Sequence, residues 1–205
     1  MLKIENTEIF GWEAAIRGMR NPKNSWNKSD TYYYPDFKLG KNDLNLMKSL
    51  VKAGSDHGKF LRMINVTVDI TAPLYWWKEF DTYKIGTVAN SCSTMHKIAA
   101  KVFDLDDFSH EHLWGDSENA LEDVVEQLNF ARIAFLETKD KSYWWEMIQL
   151  LPSSYNQRRT VMLNYEVLRR MYHARKAHKL DEWRITFCDW VEKLPHSKEL
   201  IIGED

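Results

Sequence analysis

Two groups of residues in this sequence have the types and spacing to do chemistry. The first is Asn90, Ser91, Ser93 and Thr94, amides and hydroxyls in a stretch without bulky side chains, with Lys84 shortly upstream. Such a segment offers donors and acceptors to a phosphate or to the edge of a nucleobase, although clustered serines and threonines also form turns. The second is Arg175. Asn164, Leu168, Met171 and Arg175 fall at i, i+4, i+7 and i+11, one face of a helix, so a guanidinium shares a stripe with two apolar side chains. A guanidinium stays charged and needs a carboxylate, a phosphate or a polarised carbonyl opposite it when it loses water. Either Arg175 snorkels to solvent or pairs with an acid such as Asp181, or it faces a ligand.

Other chemistries have less to stand on. His110 and His112 lie among Asp104, Asp106, Asp107 and Glu111. An HxH pair in an acidic loop is a poor metal signature, and a solvated loop or helix-cap role is the simpler reading, so no metal is assigned. Cys92 sits amid the hydroxyls but has no His–Asp partnership in sequence, which favours a small packed side chain over a nucleophile. No P-loop, dinucleotide fingerprint or nucleophile elbow occurs.

Composition narrows the partners. The 205 residues suffice for one core, so a single domain, 1–205, is expected. The formal net charge of -2 gives no bulk field for nucleic acid or an anionic membrane, so neither is expected as a partner. The N-terminal MLKIENTEIF lacks a secretory pattern and no apolar run is long enough to span a bilayer, so a cytoplasmic protein is expected. Cys92 and Cys188, far apart and outside any CxxC spacing, read as reduced thiols.

The elements that must position these residues follow from periodicity. Thr7 is expected to cap a helix with Ile9, Trp12, Ala15, Ile16 and Met19 on one face, stopped at Asn21-Pro22. Residues 21–40 read as an irregular connection pinned by Tyr32, Tyr33 and Tyr34, and Asn42 to Gly54 as a second helix. Alternating Ile64, Val66, Val68 and Ile70 predict a strand within 59–71. Pro73 then opens a helix with a stripe of Trp76, Trp77, Phe80 and Tyr83, and Gly86 leads into a polar loop. A short helix around Ala99–Phe103, a long one over 118–137 and a shorter one ending at Pro152 come next. Residues 153–163 read as a turn with a brief extended or early helical piece, 164–178 and 180–194 as helices, and the tail SKELIIGED as weakly specified.

The order of these pieces resembles the flavin-dependent thymidylate synthases. That family's signature, RHRxxSxNExSxR, follows a strand and a helix, and a later helix reads NxRxLxxFxxxR. Here Thr82-Tyr83-Lys84 stands where RHR would, Asn90-Ser91-Cys92-Ser93-Thr94-Met95 matches NExSxR after one inserted residue, and Asn164, Leu168 and Arg175 keep the later spacing. The departures remove cations: RHR keeps only Lys84, Met95 replaces the last arginine, and Glu166 replaces an arginine of the late helix. Lys78, Lys97, Arg158 and Arg159 are the nearest substitutes.

The resemblance implies an α+β fold, helix-rich around a small antiparallel sheet, and a homotetramer. It implies an enzyme that binds FAD and methylates deoxyuridine monophosphate (dUMP), with methylenetetrahydrofolate as carbon donor and NADPH as reductant. It assigns the catalytic role to Arg175, substrate binding to Lys84, Asn90, Ser91, Ser93 and Arg175, and cofactor binding to His57, Thr82, Tyr83, Lys84, Asn164 and Arg170. With the cations missing, the alternative is a non-catalytic relative that binds a nucleotide or a protein.

Overall fold

A computed structural model describes residues 2–203. The fold is helix-rich α+β with a four-stranded antiparallel sheet in the order β1-β2-β4-β3, where β1 is Lys3–Phe10, β2 Asn65–Pro73, β3 Val88–Ser91 and β4 Asn156–Asn164. No helix among the described residues is long and apolar enough to cross a membrane. By contact density the chain divides into two compact units, one mainly Asp69–Thr82 and Ala89–Thr160, the other mainly Ile4–Val68, Tyr83–Val88 and Val161–Asp205.

Within the second unit, α1 (Trp12–Arg20) buries Trp12, Ala15, Ile16 and Met19, as the periodicity requires. Its start differs from expectation. Residues 3–10 are a strand, and Thr7 does not cap a helix: its hydroxyl oxygen accepts from Trp190 Nε1 at 3.0 Å. The helix begins instead after Gly11 at φ +93°, where a Cβ would lie 2.0 Å from the Met63 carbonyl oxygen. Only glycine allows that approach.

The connection over 21–40 is held chiefly by a buried carboxylate, and of its tyrosines only Tyr33 is half-buried, its ring 6.2 Å from that of Phe37. Tyr32 and Tyr34 are 69% and 90% exposed. Asp43, on α2 (Lys41–Lys52), accepts from Arg20 Nε at 2.7 Å, from the Ser29 and Thr31 hydroxyls, and from the backbone N–H of Asp30 and Thr31. Arg20 in turn donates to the carbonyls of Ser25 and Lys28, so one buried ion pair gathers the whole segment.

The remaining corrections concern short or locally ambiguous pieces. Residues 153–163 are mostly strand: β4 runs nine residues between β2 and β3. The expected polar loop contains the edge strand β3, and the following helix, α4 (Thr94–Lys97), comes earlier than Ala99–Phe103 because Ser93 caps it. The helix from Pro73 is α3 (Leu74–Phe80), with Pro73 just before it and Tyr83 beyond its end. The tail is not weakly specified over its described part: Leu200 and Ile201 are fully buried in a wide π-type turn, Lys198–Ile202.

In the first unit, α5 (Asp116–Thr138) and α6 (Lys141–Leu150) pack around Leu121, Val125, Leu128, Ala131 and Met147, joined by Phe103 and Phe108. Trp76, Trp77 and Phe80 of α3 are buried together, and Trp77 Nε1 donates to the Gln157 carbonyl on β4 at 2.9 Å. These rings anchor the segment that leads into Thr82 and Tyr83.

Candidate functional site

Arg175 ends α7 (Tyr165–Arg175), whose Leu168 and Met171 are fully buried, so the guanidinium emerges from the apolar stripe half-buried. Nε donates to the Tyr83 hydroxyl at 2.9 Å, and the guanidinium carbon lies 5.4 Å from the Tyr83 ring centroid and 4.8 Å from that of Trp183. Two aromatic faces and a phenol therefore set the plane of the guanidinium. Asp181, the acid suggested by sequence, accepts from Arg184 at 2.6 Å. A fixed guanidinium beside aromatic walls suits a planar ring carrying a carbonyl, where developing negative charge would be stabilised.

Tyr83 is held in turn. Thr87 Oγ1 donates to the Tyr83 carbonyl, and Gly86, at φ +81°, passes so close to α7 that a Cβ would lie 2.9 Å from Val167 Cγ2 and 3.1 Å from Asn164 Nδ2. The Tyr83–Thr87 turn thus lies directly on the start of α7. Asn164 is buried and caps that helix, its Oδ1 accepting from the Val167 N–H at 3.1 Å. Lys84, beside Tyr83, is exposed, as are Arg170 on α7 and His57 before the turn Gly58–Met63. Thr82 donates its hydroxyl to the Glu79 carbonyl at 2.7 Å and closes α3.

Asn90, Ser91 and Ser93 belong to the other unit. Asn90 and Ser91 are exposed on β3, and Ser93 Oγ accepts from the His96 N–H at 3.2 Å as the cap of α4. Within the second unit the structure brings together Tyr83, Gly86, Asn164 and Arg175; within the first, Asn90 and Ser91 lie on an edge strand and Ser93 caps α4. Trp183 and Thr87 are the residues missed from sequence. The signal for Trp183 was its place eight positions after Arg175, but its apolar spacing made it read as core.

The substitute cations divide. Arg158 Nη2 donates to Asp69 at 2.7 Å, while Arg159 donates to Asp81 at 2.8 Å and lies 4.1 Å over the Trp77 ring. Glu166 accepts both Nε and Nη2 of Arg62, at 2.5 and 3.0 Å. Lys78, Lys84 and Lys97 are exposed. No group of three or more His, Cys, Asp or Glu able to hold a metal occurs among the described residues, His110 and His112 included.

Compared with solved structures, the chain matches thymidylate synthase X (ThyX) from Helicobacter pylori with FAD and dUMP over 100% of both chains, at TM-score 0.74 and 15% identity. A second structure, the flavin-dependent thymidylate synthase ThyX of the same organism complexed with FAD and dUMP, matches over 97% of each chain at TM-score 0.74 and 17% identity. No family model matches the sequence, and no curated protein matches it significantly. The chain has the ThyX fold from end to end. At this identity the likeness shows the fold alone.

Proposed function

We propose that this chain is a divergent flavin-dependent thymidylate synthase-like enzyme of the cytoplasm that binds a dUMP-type pyrimidine nucleotide and methylates or otherwise modifies it. The observation that carries the reading is the contact between Arg175 and Tyr83: a guanidinium fixed by a phenol and two rings, at the position where the resemblance expects the catalytic arginine. In this role Arg175 polarises a pyrimidine carbonyl, Tyr83 keeps its Nε turned inward, and Lys84 supplies charge to the nucleotide phosphate.

The residues fit FAD in charge. Lys84 and Arg170, both exposed, would hold its phosphates with His57 in support, whereas Asn164, buried as a helix cap, would support the turn rather than touch the cofactor. When bound, FAD would supply the redox chemistry, with methylenetetrahydrofolate and NADPH as co-substrates. The test is direct: protein titrated with FAD should acquire flavin absorbance near about 450 nm and retain it through gel filtration. Protein that takes up no flavin contradicts the enzyme reading.

A second reading, a non-catalytic relative, is favoured by one observation. Glu166, where the signature has arginine, is already neutralised by Arg62. On this reading dUMP binds without turnover, and at 100 times its dissociation constant it stabilises the fold by about 2.7 kcal/mol.

A further inference from the structure

The second unit contains an open cavity of about 460 Å³ between α1 and the connection that follows it, with Glu13, Ile16, Arg17, Trp26 and Tyr33 in its lining. Ile16 is almost fully buried and gives it an apolar surface. Its two aromatic side chains are fixed in place. Trp26, half exposed, donates from Nε1 to Asn21 Oδ1 at 2.8 Å. Tyr33 belongs to a short antiparallel ribbon, in which the Tyr32 N–H donates to the Lys38 carbonyl at 3.0 Å and the Lys38 N–H to the Tyr32 carbonyl at 2.8 Å. That pairing sets Tyr33 opposite Phe37, ring centroids 6.2 Å apart, and Phe37 packs on Trp12 at 5.5 Å.

Arg20 also borders the cavity, but Asp43 neutralises its guanidinium, and the Ser25 and Lys28 carbonyls accept from Nη1 and Nη2. The remaining charges of the lining are Glu13 and Arg17, one turn apart on α1, both largely exposed, with 3.7 Å between carboxylate and guanidinium. An exposed pair of this kind contributes little to the fold, so either partner turns to a ligand at small cost. Burial raises the Tyr33 phenol above its ordinary value, and Asp43 and Glu13 add to the shift against Arg17 and Arg20, so Tyr33 remains a neutral donor at physiological pH. A ligand suited to these walls has a planar apolar part and, beside it, one positive and one negative group. A bare ring would leave both charges unused, and a simple anion or cation would meet one of them unfavourably.

We propose that this cavity binds a free aromatic α-amino acid: its ring against Ile16, Trp26 and Tyr33, its carboxylate on Arg17 and its ammonium on Glu13. The zwitterion carries its two charges on neighbouring atoms, as the lining carries its own one turn apart, and each charge gains a charge-assisted hydrogen bond. None of these residues belongs to the proposed nucleotide site, so the assignment stands apart from that reading.

Calorimetric titration of the intact protein tests this with three probes: L-phenylalanine, phenethylamine, which lacks the carboxylate, and 3-phenylpropionate, which lacks the ammonium. L-phenylalanine should bind saturably at one site and more tightly than either analogue. Arg17→Gln should weaken L-phenylalanine about tenfold, the worth of one hydrogen bond to a charged group, without weakening phenethylamine. Glu13→Gln should do the same to L-phenylalanine without weakening 3-phenylpropionate. Both side chains are exposed, so the unfolding midpoint of the ligand-free protein should stay unchanged in each variant. No saturable binding of L-phenylalanine up to about 10 mM, equal affinity for all three probes, or unaltered L-phenylalanine binding in either variant would each overturn the assignment.

Discussion

Arg175 donates from Nε to the hydroxyl of Tyr83 at 2.9 Å, across 92 positions of sequence. The bond ties the end of α7 to the turn where the resemblance expects RHR, so a phenol stands beside the guanidinium in a place expected to be cationic. Tyr83→Phe should lower stability by only about 0.5–1.5 kcal/mol, the usual worth of one hydrogen bond. It should weaken dUMP binding about tenfold or more by freeing the guanidinium plane. Denaturant melts and nucleotide titrations of the same preparation separate the two effects.

Gly86→Ala tests the turn from its other end. The residue would have to keep φ +81° and place a Cβ 2.9 Å from Val167. A left-handed alanine costs about 1–2 kcal/mol before any clash, so a loss of at least that size in urea denaturation is expected. Nucleotide affinity should fall with it, because Tyr83 and Lys84 move with the backbone.

Asp43 is a prediction about stability alone. Burial opposes its ionised form, but hydrogen bonds from Thr31, Ser29 and Arg20 outweigh that and hold the carboxyl below the usual carboxylate range. A carboxyl with a lower pKa folded than unfolded contributes stability above the unfolded pKa and loses it as pH falls through the folded one. Asp43→Asn leaves Arg20 buried without its counter-charge and should cost about 3–5 kcal/mol at neutral pH. Stability measured from pH 7 downward should decline less steeply below about pH 4 in the variant than in the parent.

The two thiols should separate cleanly. Cys92 is exposed, whereas Cys188 is buried and its thiol is pushed up to about 11 by desolvation, with Glu192 and Asp189 adding to the shift. A disulfide reagent at neutral pH should titrate one thiol rapidly in the native protein and the second only on unfolding.

Elements with a long period and a single apolar face were legible in the sequence. The stripes of α1, α5 and α7 and the alternation of β2 bury most of the residues that the periodicity selects; Ile9, selected with α1, lies half-buried in β1. The misread pieces depend on partners distant in sequence. Residues 3–10 alternate too weakly to announce an edge strand, and Thr7 looked like a cap because nothing local reveals Trp190. Residues 156–164 mix polar and apolar types because β4 has one face against the core and carries Arg158 and Arg159 in ion pairs. At the site, the helical face placed Arg175 correctly, but neither spacing nor composition shows that Tyr83 would meet it. Ser93 and Asn164 looked like ligand groups, and both hydrogen-bond the first turn of a helix.

The most direct measurement follows the flavin spectrum near about 450 nm as dUMP is titrated into FAD-loaded protein, in the parent chain and in Arg175→Lys. The parent should bind FAD and show a saturable perturbation of the band, and the variant, keeping charge but not the planar fork, should retain fold and flavin while the perturbation disappears. Absence of flavin uptake by the parent, or an equal perturbation in Arg175→Lys, would contradict the role given to Arg175.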